Sequence, residues 1–115
     1  METTHEHSDY TQQFIIKQIL RELGIPVHRK GYRHLAIAIL LYLQDENQSL
    51  TKEIYPGVSA AVGCSDWRII ERDTRCVIQY AWENRNPDVW RLYFPQSRKS
   101  PSNKLFISTL AQLLQ

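Results

Sequence analysis

Residues 67–82 read WRIIERDTRCVIQYAW, and their spacing decides the fold. Placed at 100° per residue, Arg68, Arg72, Arg75 and Gln79 fall within an arc of about 60°. Ile70, Thr74, Val77, Ile78 and Ala81 gather on the opposite side. The stretch is therefore an amphipathic helix, with a line of guanidinium groups on its wet face and a separate apolar face turned to a core.

Immediately upstream, NQSLTKEIYPGVSAAVGCSDW (47–67) is broken by Pro56 and Gly63. It predicts a short turn of helix at Leu50–Tyr55. A second short helix then opens at Pro56, whose missing N–H costs little in a first turn. GCS is a tight turn, with Ser65 placed to cap the next helix. Short helix, glycine turn and long amphipathic helix is the order of a helix-turn-helix unit, whose second helix enters the major groove.

The rest of the chain is helical in period as well, with no convincing alternating strand. A first helix is expected from near Tyr10 to Leu23, with Ile15, Ile16, Ile19, Leu20 and Leu23 inward. Gly24 stands as its C-terminal cap and Pro26 prevents resumption. After the basic loop VHRKG, a second helix covers Tyr32 to Asp45. Its run LAIAILLYL (35–43) is too short to span a bilayer and reads as a helix buried on most sides. A fifth helix starts at Pro87, and a last one runs Ser102 to Leu114 with Phe106, Leu110 and Leu113 inward. The predicted fold class is all-α, a compact six-helix domain containing a helix-turn-helix, at 10–115 behind a flexible tail at 1–9.

The 115 residues suit one domain with one core, and 43% hydrophobic residues exclude a disordered chain. Net charge is only +2, but residues 1–9 carry three acids and no Lys or Arg, leaving 14 basic against nine acidic residues from Tyr10 onward. That is a mild pull toward an anionic partner. The first nine residues offer no apolar signal region. Cys64 and Cys76 sit roughly 15 Å or more apart if the second lies well inside the helix, which excludes a disulfide and fits a reducing cytoplasm.

The ordinary fate of an arginine line is a solvated face, here with Glu71 and Asp73 as local partners. Two features argue for more. The line follows a glycine turn, and nearby loops add Arg29, Lys30, Arg98 and Lys99. Arginine also offers the bidentate fork that guanine O6 and N7 accept, which lysine matches poorly.

The segments GIPVHRKGYRHLAIAI, LTKEIYP, IERDTRCVIQYAW and SPSNKLFI occur in this order at appropriate spacing. Together they resemble the C-terminal effector domain of the stage zero sporulation protein A family of response regulators, from about Phe14 to Leu114. The resemblance implies a helix-turn-helix that binds promoter boxes in double-stranded DNA, with a recognition helix at about 66–83. It assigns base-edge contacts to Glu71 and Arg72, with Arg75 one helical turn on, and Arg68 joins them from the stripe. Phosphate contacts fall on His28, with Lys30 beside it, and on Arg98; Ser65, Gln79 and Lys99 complete that set. A second copy on tandem DNA sites is also implied.

The sequence departs from the family pattern at several points. Cys76 replaces the usual histidine, the VGCSDW turn is one residue longer, and Trp67 and Ile69 are bulky where small or polar residues are expected. No phosphorylatable receiver fits into nine residues. The chain is then either an excised domain or a stand-alone protein, and the leading METTHEHSDY favours the second.

Other chemistries find little support. His5, His7, His28 and His34 lack finger-like spacing, so no metal or cofactor is expected. Neither cysteine has an evident base, and Glu71 and Asp73 at i and i+2 do not face each other, so no enzyme is expected. Trp67, Trp82 and Trp90 read as packing residues. The alternative reading is a protein-interaction module that antagonises a full-length regulator or RNA polymerase without specific DNA binding. Such a module has no reason to keep Arg72 and Arg75 free.

Overall fold

Ile16, Ile19, Leu20 and Leu23 repeat at helical spacing and are all buried, which turns one narrow side of the first helix inward. The computed structural model describes residues 2–115, with side chains from Tyr10 onward. Its elements are α1 (Glu2–Glu22), α2 (Lys30–Gln44), a wide helical turn at Leu50–Ile54, α3 (Tyr55–Val62), α4 (Trp67–Glu83), α5 (Pro87–Tyr93) and α6 (Asn103–Leu113). The fold is all-α. Helix α1 starts earlier than the expected Tyr10, and the side chains of the expected 1–9 tail lie outside the described ones.

Local chemistry explains the boundaries. Gly24, at φ +85°, ends α1 with the amides of Gly24 and Ile25 folded back onto the carbonyls of Arg21 and Leu20. At the wide turn, the amides of Ile54 and Tyr55 reach back five residues, to Ser49 and Leu50. Ser49 Oγ accepts from the Lys52 amide, while Glu53 Oε1 accepts from the Ser49 amide. Pro56 lies in the first turn of α3, as expected, and Ser102 caps α6 through the Leu105 amide.

Helix α2 is the central member and packs on α1, α3, α4 and α6. Leu35, Ala36, Ala38 and Ile39 are fully buried along it, while Ile37, Leu40, Leu41 and Leu43 pack partly buried around them. The nine-residue apolar run is thus a core helix. No helix among the described residues is long and apolar enough to cross a membrane.

Aromatic rings seal the α5 end. Trp90 stands edge-on to Trp82 at 5.4 Å, Phe94 stacks on Phe106 at 5.3 Å, and Trp90 Nε1 donates to the Leu23 carbonyl at 3.0 Å.

Two inward assignments need correction. Ile15 and Leu113 are exposed. Ile15 lies at the edge of the α1 arc, about 40° beyond the buried Ile19, whereas Leu113 points within about 20° of Phe106 but sits in the last turn of α6.

Candidate nucleic-acid interface

Helix α4 is the most strongly two-faced element of the chain. Its buried residues are Ile70, Thr74, Val77, Ile78 and Ala81, the same five that the periodicity set inward. Opposite them, the side chains of Arg68, Arg72 and Arg75 are 74%, 61% and 57% exposed.

The turn before α4 is built by Gly63 at φ +74°. Such a backbone favours glycine because a β-carbon crowds the chain there. The Cys64 amide donates to the Ser59 carbonyl at 2.9 Å, and Ser59 Oγ donates to the Cys64 carbonyl. Ser65, expected to cap α4, does not. Asp66 is the cap, and its Oδ1 accepts the Arg68 amide at 3.0 Å. Both residues are of cap-forming type, and the backbone after Gly63 turns into the helix at Asp66 rather than at Ser65.

Two contacts fix the pose of α4. The Trp67 ring stacks on Tyr55 at 6.0 Å, nearly parallel, which gives this bulky residue a packing role across the helix-turn-helix. Asn103, the first residue of α6, donates through Nδ2 to both the Tyr55 hydroxyl at 3.0 Å and the Glu71 carbonyl at 3.1 Å. Three elements therefore meet at one amide.

Each stripe arginine has an acidic neighbour. Arg68 reaches Asp66, Arg72 approaches Asp73 at 3.5 Å, and Arg75 donates to Glu71 at 3.3 Å. Exposed single-point pairs such as those of Arg72 and Arg75 contribute little stability, roughly 0–1 kcal/mol, and yield readily to a stronger anion, whereas the Arg68 pair is two-pointed. Gln79 leans on Glu83 at 3.3 Å.

The other expected residues flank the stripe on two sides. On one side, a groove of about 450 Å³ is lined by Glu71, Arg75 and Gln79 from α4 and by Ser100, Ser102 and Lys104. Arg98 and Lys99 are exposed on the loop that runs into Ser100. On the other side, a smaller pocket of about 210 Å³ joins Arg29 and Lys30 to Asp73 and Cys76. His28 is exposed just before them. The Arg29 guanidinium lies over the Tyr80 ring at 5.4 Å, which binds this basic loop to α4.

Beneath the same flank, His34 is 4% exposed, and its Nδ1 stands 3.9 Å from Asp73 Oδ2. Burial pushes its pKa below the ordinary histidine value, against the opposing pull of Asp73. Sequence reasoning missed Asp66, Asn103 and Lys104. Asp66 was visible as an N-cap type two residues before Arg68, whereas Asn103 meets Glu71 only through the tertiary fold.

A family model described as "Sporulation initiation factor Spo0A C terminal" matches residues 16–114. The chain belongs to this family. Spo0A C-terminal domains are DNA-binding effector domains of a sporulation transcription regulator, not an enzyme family, so double-stranded DNA is the partner class at family level. The helix-turn-helix is compatible with the Spo0A C-terminal family.

Proposed function

We propose that the chain is a sequence-specific, double-stranded DNA-binding transcription regulator that lays α4 in the major groove. Arg68, Glu71, Arg72 and Arg75 meet base edges. His28, Lys30, Ser65, Gln79, Arg98 and Lys99 hold phosphates and set the register. The observation that carries this reading is the exposure of three arginines on one line of α4, opposite a fully buried face.

The flanks support it. A helix inserted in the groove brings both phosphate ridges against its neighbouring loops. Here Lys30 stands on one side, where its loop enters α2, and Arg98 and Lys99 stand on a loop on the other.

The test is a binding titration against a duplex holding the family's promoter box and a scrambled duplex, at two salt concentrations, with Arg72→Ala alongside. The reading expects at least tenfold preference for the box and its loss in the variant. Equal, weak binding to both duplexes overturns it and favours a protein partner.

A further inference from the structure

Asp66 does more than cap α4. One of its oxygens, Oδ1, accepts the Arg68 backbone amide at 3.0 Å and the Arg68 Nε–H at 3.1 Å, while Oδ2 accepts from Nη2 at 3.2 Å. A single carboxylate is thus held by three N–H groups, one of which belongs to the helix backbone.

The arrangement orients the arginine. A guanidinium has five N–H donors on a rigid plane. The pair with Asp66 occupies the edge made by Nε and Nη2. It leaves three N–H groups, of which one on Nη1 and one on Nη2 lie parallel and form a second edge turned about 120° from the first. Two parallel donors are what guanine O6 and N7 accept in the major groove. An unbuttressed arginine must lose several rotatable bonds of freedom on binding; this one begins with its plane fixed. The Asp66 carboxyl is held below its ordinary pKa, first by the side-chain hydrogen bond from Arg68.

We infer that Asp66 is a positioning residue for base recognition: it backs Arg68 so that the free Nη1/Nη2 edge reads one guanine in the DNA major groove. This rests on the proposed placement of α4 in the groove and adds a specificity determinant to it. Asp66 touches no base itself. Its effect is to make Arg68 a selective contact at one base pair rather than a mobile cation shared among phosphates.

The test separates positioning from capping. Asparagine caps helices as well as aspartate, but its Nδ2 cannot accept from Nη2, so Asp66→Asn keeps the cap and breaks the fork. A duplex selected by the chain from a random double-stranded DNA library would be varied one base pair at a time. Binding of each duplex to the chain, Asp66→Asn, Arg68→Ala and Arg72→Ala would then be titrated.

The expected result is that Asp66→Asn and Arg68→Ala lose about tenfold preference for guanine at the same single position. Preference elsewhere should persist, and the melting temperature of Asp66→Asn should be unchanged. Unaltered guanine preference in Asp66→Asn overturns the inference. So does uniformly tighter binding to all duplexes, which would make the carboxylate a simple charge mask. Should selection yield no preferred duplex at all, the placement of α4 fails first and the inference with it. Loss confined to Arg72→Ala would overturn the role of Asp66 while leaving the groove reading standing.

Discussion

Gly31 lies so close to Asp73 that a β-carbon on it would stand 2.5 Å from the Asp73 carbonyl oxygen. The same atom would stand 2.7 Å from both methyl groups of Val77. Helix α2 thus crosses α4 with almost nothing between the backbones, and that crossing brings Lys30 against the flank of the arginine line.

Gly31→Ala should destabilise the fold. Alanine gains up to about 1 kcal/mol of helix propensity. Neither a backbone carbonyl nor a β-branched valine can move aside, so overpacking of about 1–3 kcal/mol outweighs that gain. Gly57→Ala is the control, because its β-carbon would meet only Leu41 Cδ1, at 3.0 Å, the end of a flexible side chain. Urea unfolding should show a lower midpoint for the first variant and little change for the second.

Trp90→Phe tests the seal between α1 and α5. The ring fills much of the same space, but the Leu23 carbonyl loses its buried donor. An unsatisfied buried acceptor costs about 1–3 kcal/mol. Trp82→Phe, at a half-buried ring without such a bond, should cost less in the same denaturation series.

The α4 periodicity was fully legible because one helix carries both faces within seventeen residues, and all five expected inward residues are buried. Gly24 and Gly63 were legible for a similar reason, since a left-handed cap is a local demand on one residue. Ile15 and Leu113 misled because apolar character alone does not say where a helix stops meeting its neighbour; Ile15 stands beyond the edge of the buried arc, and Leu113 lies in the last turn of α6. Ser65 and Asp66 are both cap formers, and only the backbone of the turn decides that Asp66 takes the cap. The Asn103 bridge to Tyr55 and Glu71 spans residues 48 and 32 apart in sequence, beyond any local pattern. The arginine line could be read from spacing, but its acidic neighbours depend on side-chain reach.

His34 should titrate below 6.5, the ordinary histidine value, because burial disfavours its charged form. The folded state then binds this proton less readily than the unfolded state. Above the unfolded value both states are neutral at this position and nothing is lost. As pH falls below about 6.5, the unfolded state takes up the proton first and stability declines. NMR titration of the imidazole should give a midpoint under 6.5. Urea unfolding between pH 7 and 5 should show a decline that His34→Gln reduces.

Arg72 and Arg98 should fail in different ways. Arg72 lies on the line facing outward from α4, where a side chain paired to a base edge discriminates by about 1–3 kcal/mol. Arg72→Ala should therefore weaken binding to the preferred duplex and relax one position of the site. Arg98 is exposed on the loop leading into the groove at Ser100. A phosphate contact there carries no sequence information, but it releases a counterion. Arg98→Ala should weaken binding to every duplex alike and reduce the slope of log affinity against log salt by about 1. Titrations at four salt concentrations on preferred and scrambled duplexes separate the two effects. An unchanged salt slope in Arg98→Ala would remove Arg98 from the phosphate set, and unchanged sequence preference in Arg72→Ala would remove Arg72 from the base edges.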